Sequence, residues 1–369
     1  LTAAERAPGW SSYHFFFHAG RNRLLTGLVR PLVASLFAAR AADGFFYLRY
    51  DLGGPHIRLR MRCAAPEAVT ARVAAAAAAF FASQPSTTPL PAEEIHRRNR
   101  AILAEEPGES DAVYPDNSLR MLPFVPETSR YGGPVLIERS LDFFGLSSWQ
   151  ALEIIAMCGA KPWGQQLPHL FLELAQLASG LATSEEELLG LLGYSAVEAE
   201  STLAPVAARA DRLFAEHREL FCQLMQAAVE TPAGALPERP CGAPALAYAE
   251  AISCLSREIG FADLPARWLI LTSHMHMTAN RLGLENWDEV YVGRLLWRAA
   301  RDLSDYNRAF RDCLAVRFTS RSGAAPPAPT LSGIRDLLYR AIAAIASEVA
   351  GCQSADRSPK NQALQEEAG

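Results

Sequence analysis

The stretch His56-Ile57-Arg58-Leu59-Arg60-Met61-Arg62 alternates cationic and apolar side chains without a break. Successive side chains on an extended strand point to opposite faces. The segment is therefore predicted to be a strand with Ile57, Leu59 and Met61 facing a core and His56, Arg58, Arg60 and Arg62 on the other side. Three guanidiniums on one strand face repel one another unless something anionic or strongly hydrogen-bonding sits there. Two readings follow: an edge strand guarded by charge against pairing, or a binding or catalytic surface built on a rigid sheet.

The surrounding chain makes that local charge more telling. Its 369 residues carry a formal net charge of -5, which argues against a general nucleic-acid binder. Half the residues are hydrophobic and a fifth are charged, as in a globular protein with room for a sizeable core. The seven cysteines form no CxxC pair and no cluster at ligand spacing, so reduced thiols and a cytoplasmic location are expected. Leu1 to Gly9 is polar and charged, unlike a signal peptide, and no uncharged apolar window is long enough for a membrane span.

Two further strands are expected at Ser12–His18 and Gly44–Asp51, with a helix over Leu24–Ala42 between them. Gly53-Gly54 turns the second strand into the arginine strand. Pro66 opens an alanine-rich helix to about Ser83, and a further strand is expected near Leu90–Arg98 or Met121–Val125. The order is most of a ferredoxin-like βαββα unit, and the fold class is α+β. After Pro134 the periodicity is helical, with helices expected at 134–145, 147–160, 164–182, 184–193, 195–230, 245–259, 264–282, 288–314 and 331–351. Residues 105–118 and 231–244 read as loops, 320–330 as a linker and 355–369 as a disordered polar tail. The expected division is a sheet module at 10–133, a helical module at 134–320 packed on it, and the C-terminal helix.

No phosphate-binding loop, HExxH or GxSxG motif is present, so no nucleotide cofactor or motif-borne metal is expected. Two other stretches could join the arginine strand in a site. In Pro126–Pro134, Glu127, Arg130 and Tyr131 precede Gly132-Gly133, which could bring backbone close to a ligand; the alternative is a plain turn with a surface ion pair. Near the end of the helix from about Pro265, Ser273, His274, His276, Asn280 and Arg281 crowd together. Two histidines at i,i+2 are poor metal geometry on a helix, so a proton-moving imidazole is the better reading, beside that of a structural histidine. Tyr13, His14, His18, Tyr47 and Arg49 could extend the same sheet surface, although aromatic packing accounts for most of them.

Gly44–Asp51, Gly54-Pro55-His56-Ile57-Arg58-Leu59-Arg60, Glu127…Arg130-Tyr131-Gly132-Gly133 and His274-Met275-His276…Asn280-Arg281-Leu282 occur in an order that resembles the thiopeptide-type bacteriocin biosynthesis family. Its relatives include the C-terminal elimination domain of class I lantibiotic dehydratases. The resemblance runs from about Trp10 to Leu314 and implies an elimination-domain-like fold acting on a modified precursor peptide, without a cofactor. Two activities are implied. Pyridine synthases join two dehydroalanines of an azole-bearing peptide in a formal [4+2] aza-cycloaddition, then lose water and the leader peptide to leave the macrocycle. Elimination domains expel glutamate from glutamylated Ser or Thr to give dehydroalanine or dehydrobutyrine. The resemblance places Arg58, Arg60 and Arg130 with a histidine of the His274/His276 pair in the elimination role. In a pyridine synthase, Tyr131, Ser273, His274 and His276 would move protons, while His56, Arg58, Arg60, Glu127, Arg130, Asn280 and Arg281 would hold the peptide. A non-catalytic leader-binding subunit, taking up peptide along a β-edge near the hairpin, is a third reading. Other enzymes of the pathway are possible partners in each case.

Overall fold

In a computed structural model of the chain, the described residues are 9–105, 110–159, 166–201, 203–230, 251–252, 255–259, 264–319 and 340. The expected 331–351 helix, the 320–330 linker, the 355–369 tail and the 231–244 loop lie outside them, residue 340 apart. The chain divides into two compact units, residues 1–159 with 257–284, and residues 160–256 with 285–369.

The first unit is built on strands β1 (Trp10–Phe16), β2 (Gly44–Tyr50), β3 (His56–Arg62) and β4 (Ser118–Met121). They form one antiparallel sheet in the order β2-β3-β1-β4, the ferredoxin-like order that the βαββα pattern implied. Between β1 and β2 run α1 (Arg21–Leu24), a π turn (Leu25–Val29) and α2 (Arg30–Ala38). Helix α3 (Pro66–Ser83) follows β3, with Pro66 in its first turn where the missing N–H costs nothing. Tyr13, Phe15, Ile57, Leu59 and Met61 are wholly buried on the apolar face, and Tyr13 Oη meets Thr70 of α3 at 2.9 Å.

One strand expectation is corrected. Residues 90–98 do not form a strand; α4 (Ala92–Glu105) occupies them. Glu94 pairs with Arg97 and Arg98 one turn on, the spacing that supports an exposed helix. The fourth strand instead begins at Ser118, slightly ahead of the expected 121–125.

Helix α5 (Pro134–Cys158) runs unbroken through the expected break at 146. The chain then passes through α6 (Leu167–Leu181), α7 (Glu185–Ser201), α8 (Ala204–Glu216) and α9 (Arg218–Glu230), and returns to the first unit as α10 (Leu264–Leu282), with the bounds expected from sequence. Both α5 and α10 are counted with the sheet, where the sequence division grouped them with the helices. They close the outer edge of β2. Ser148 Oγ accepts from Tyr47 N at 3.1 Å, and the Asn280 amide accepts from Arg49 N at 2.9 Å while donating to Arg49 O at 3.0 Å. Gly145 passes so close that a Cβ there would stand 2.7 Å from Phe45 O. The hairpin edge is thus occupied by the protein's own side chains, which removes it as a strand-addition site.

The second unit contains α6–α9 together with α11 (Asn286–Tyr306) and α12 (Arg308–Thr319). The predicted 195–230 helix is broken near Leu203 and at His217, and the predicted 288–314 helix at Asn307, whose Oδ1 accepts from Phe310 N and starts α12. Arg294 and Arg298 of α11 both pair with Asp211 of α8. Among the described residues no helix is long and apolar enough to cross a membrane.

Candidate functional site

Strand register sets the composition of the cationic face. Cross-strand partners share a face, so His56, Arg58, Arg60 and Arg62 stand beside Phe16, His14, Ser12 and Trp10 of β1 and beside Tyr50, Leu48, Phe46 and Gly44 of β2. Ser118 and Arg120 of β4 continue it past His14 and Phe16. Tyr13, Tyr47 and Arg49, considered as extensions of this surface, lie opposite Leu59 and Ile57 and belong to the apolar side. His18 lies beyond β1, where its Nδ1 accepts from Leu90 N.

The four cationic-face residues of β3 have different environments. Arg62 is ion-paired to Asp43 at 2.9 Å and Asp142 at 3.2 Å. Arg60 is 4 % exposed; its Nη1 donates to Ser12 Oγ and, at 3.0 Å, to His14 Nε2, while the Phe124 ring lies 5.1 Å from its guanidinium carbon. Burial, with Arg58 nearby, lowers its pKa to about 9. Arg58 is half-buried, stacked 3.6 Å over the Tyr50 ring, and donates Nε to His56 Nε2 at 3.1 Å. His56 is buried, and its Nδ1 donates to Gly54 O at 2.8 Å. Its ring stacks 5.1 Å from His14 and packs 4.5 Å from Phe16. Burial first and the arginines second push both imidazoles far below their ordinary range, so both are neutral at physiological pH.

The second predicted cluster assembles where residues 127–131 meet α5 and α10. Arg130 is exposed, donates Nε to Ser273 Oγ at 3.0 Å and pairs with exposed Glu127 at 3.2 Å. Tyr131 is buried, its hydroxyl pKa raised by burial first and the Glu127 charge second. Its ring meets His274 edge-on at 5.3 Å. His274 is wholly buried, boxed by Tyr131, Phe143 and Phe144, with Nε2 3.2 Å from Ser140 Oγ. Burial and Arg281 lower its pKa to about 3. Gly132 has φ +78, and a Cβ there would stand 2.6 Å from Leu136 and 2.8 Å from Ile270, so the close turn requires glycine.

The two clusters are joined by aromatic rings. Phe46 on the cationic face contacts Trp10, Phe124 and Phe144; Phe144 contacts Tyr131, His274 and the Arg281 guanidinium. Aromatic rings thus link Arg60, through Phe124, Phe46 and Phe144, to Tyr131 and His274, while Arg130 joins the second cluster through Ser273.

Two residues predicted to bind substrate have structural roles. Asn280 spends its amide on the β2 edge, and Arg281 is buried with Nε and Nη1 on Ser148, Ser147 and Met277 O. Arg281 O accepts from Tyr47 Oη and Arg49 Nε. His276 is half-buried on α10, two residues from His274 and hence on another side of the helix. Sequence reasoning missed Ser12, Trp10, Phe124, Phe144 and Ser140. The alternation of Trp10, Ser12, His14 and Phe16, read as β3 was read, would have found the first two. Among the described residues no group of three or more His, Cys, Asp or Glu is placed to hold a metal ion.

The sequence profile of the lantibiotic biosynthesis dehydratase C-terminal family matches residues 10–300. A search of curated proteins finds no match. Among solved structures, the pyridine synthase TbtD from thiomuracin biosynthesis is similar at TM-score 0.63 and 20 % identity, over 82 % of this chain and 99 % of that one. The tRNA-dependent lantibiotic dehydratase MibB from Microbispora sp. 107891 is similar at TM-score 0.51 and 17 % identity, over 84 % of this chain and 29 % of that one. With the profile covering most of its length, the chain belongs to the lantibiotic biosynthesis dehydratase C-terminal family.

Proposed function

We propose that the protein is a thiopeptide-type pyridine synthase. The observation that carries this reading is the state of the cationic face. Arg62 is already ion-paired, Arg60 is engaged with Ser12 and His14, and both histidines are neutral. What remains is largely aromatic: Trp10, Phe46, Tyr50, Tyr114 and Phe124, with Arg58 laid on Tyr50 and exposed Arg120 beside Tyr114. Flat, uncharged azoles suit such a wall, because heteroaromatic rings stack on aromatic and guanidinium planes. The fold likeness to a pyridine synthase and to a lantibiotic dehydratase agrees with an enzyme that modifies a precursor peptide.

In this reading one backbone amide tautomerises to its iminol, which with the adjoining dehydroalanine forms a 2-azadiene. The second dehydroalanine adds across it, forming two C–C bonds, one at the methylene of the first dehydroalanine and one at the iminol carbon. The former amide oxygen leaves as water, and the leader leaves as its carboxamide while a ring proton is lost. Holding the two alkenes in register supplies most of the acceleration. Arg130, fixed by Ser273 and Glu127, and Arg58, fixed by Tyr50 and His56, grip the peptide at the two ends of the wall. Tyr131 and His276 are the proton carriers on the loop and on α10. His274, inside the protein, holds the Tyr131 side of the wall and stays neutral.

A second reading, glutamate elimination, is favoured by one observation: Arg60 makes no ion pair among the described residues, as a guanidinium awaiting a glutamyl carboxylate would not. Oxygen-18 placed in the amide carbonyl between azole and dehydroalanine separates the two. The pyridine synthase expels that label as water; an enzyme that only eliminates glutamate leaves it in the peptide.

A further inference from the structure

On the side of the sheet away from the cationic face, α2 and α3 leave an open groove of about 560 Å³ between them. Leu28, Leu32 and Phe80 form its floor, and Ala75 and Ala79 line its α3 side. The surface around it is uncharged. Residues 73–92 carry no charged side chain, in a chain where a fifth of all residues are charged. A helix face turned to solvent ordinarily carries charge. Arg72 is the one charged residue lining the groove, and among the described residues it donates only to neutral Ser35 Oγ, 2.7 Å away. At the other end lie exposed Ser83 and Gln84, where α3 stops with no basic residue in its last turn. Arg23 reaches Pro85 O, past the helix end. The groove is therefore cationic at one end and carries the negative pole of a helix at the other.

We propose that this face is the interface of a two-fold dimer, and that the occupant is the α2–α3 face of a second copy of the chain. Two-fold symmetry requires a patch that complements itself, so that residue i meets j and j meets i. With α3 antiparallel to its copy and the axis at Ala78, exposed Ala74 meets the partner's Ala82. Arg72 then meets the partner's Gln84 at the free end of its helix. Each guanidinium gains the helix-end carbonyls that its own copy does not offer it. Alanine at the crossing lets the two helices approach closely. Helix α3 has 18 residues, so the α2–α3 face measures about 27 by 20 Å, about 500 Å² per copy and about 1,000 Å² in all. That is the lower end for a specific interface, and a micromolar dissociation constant is expected. The dimer does not rest on the peptide-modifying reading, because the groove and the cationic face lie on opposite sides of the sheet.

Sedimentation equilibrium of the full chain, from one to a few hundred micromolar, is expected to show monomer and dimer in exchange. Ala78→Glu sets two carboxylates at the axis and is expected to weaken the dimer by about tenfold or more. Its thermal melt should match wild type, since Ala78 is exposed and glutamate suits a helix. Arg72→Ala is expected to weaken the dimer by about fivefold. Ala78→Cys places two thiols at the axis and is expected to give a disulfide-linked dimer under mild oxidation. Ala71→Cys, whose two copies stand about 21 Å apart in this register, is expected not to. A chain that stays monomeric, a dimer indifferent to Ala78→Glu, or a cross-link as efficient at position 71 as at 78 overturns the proposal. If Ala78→Glu instead raises KM for a leader-bearing peptide while the chain stays monomeric, the groove holds the leader, and the dimer is likewise overturned.

Discussion

Replacing Asn280 by alanine separates a structural residue from a substrate-binding one. Its side chain closes the β2 edge through two bonds to Arg49, one accepted from N at 2.9 Å and one donated to O at 3.0 Å. Alanine leaves a backbone donor and a backbone acceptor without their partners, beside an Arg49 side chain that is itself buried. Each unsatisfied buried group costs about 1–3 kcal/mol. Asn280 is only half-buried, so water repays part of this, and a net loss of about 2–4 kcal/mol is expected. Asn280→Asp keeps the acceptor and loses the donor, and is expected to cost roughly half as much. Urea unfolding gives the free energy, and amide exchange at Arg49 locates it, since that N–H should lose protection first. A stability change below about 0.5 kcal/mol, with weakened peptide binding, would refute the edge role and return Asn280 to the substrate.

Other perturbations test separate parts of the structure. Gly145→Ala sets a Cβ 2.7 Å from Phe45 O, and the displaced backbone is expected to cost about 1–3 kcal/mol in thermal or urea unfolding. His274, with its folded pKa lowered to about 3, is neutral when folded and charged when unfolded below about pH 6.5. Its contribution is therefore lost as pH falls through that unfolded value, reaching about 2 kcal/mol at about pH 5, and His274→Gln should flatten that limb of the stability curve. Asp211 acts in the same direction but in a more acidic window. Burial would raise its pKa, but hydrogen bonds from Arg298 and Arg294 outweigh that and hold it at about 2. The stability it supplies, about 2 kcal/mol, is present above about pH 4 and lost as pH falls towards about 2, and Asp211→Asn should abolish that step.

What was legible in the sequence was whatever local periodicity encodes. The alternation at 56–62 gave both the strand and its two faces, and 264–282 gave a helix with the right bounds. Helix α4 was hidden because its stabilising pairs, Glu94 with Arg97 and Arg98, are charged, while residues 90–98 offer few apolar positions to count. Roles set by distant partners were the hardest to see. Asn280 and Arg281 sit in a polar run that looks like a site, but their partners are 231 to 234 residues away on β2 or 133 to 134 away on α5. Likewise, one-strand reasoning could not show that β1 supplies Ser12 and His14 to Arg60, which turns a row of equivalent arginines into three distinct environments.

The most direct test of the central claim presents wild-type protein with two peptides side by side. One carries azoles and two dehydroalanines behind a leader; the other carries glutamylated serine behind the same leader. Mass balance by liquid chromatography and mass spectrometry follows both. Pyridine synthesis gives, from the first peptide, a macrocycle and an intact leader carboxamide whose masses sum to that of the peptide less one water, and leaves the second unchanged. Release of glutamate from the second peptide, with the first recovered intact, would contradict it.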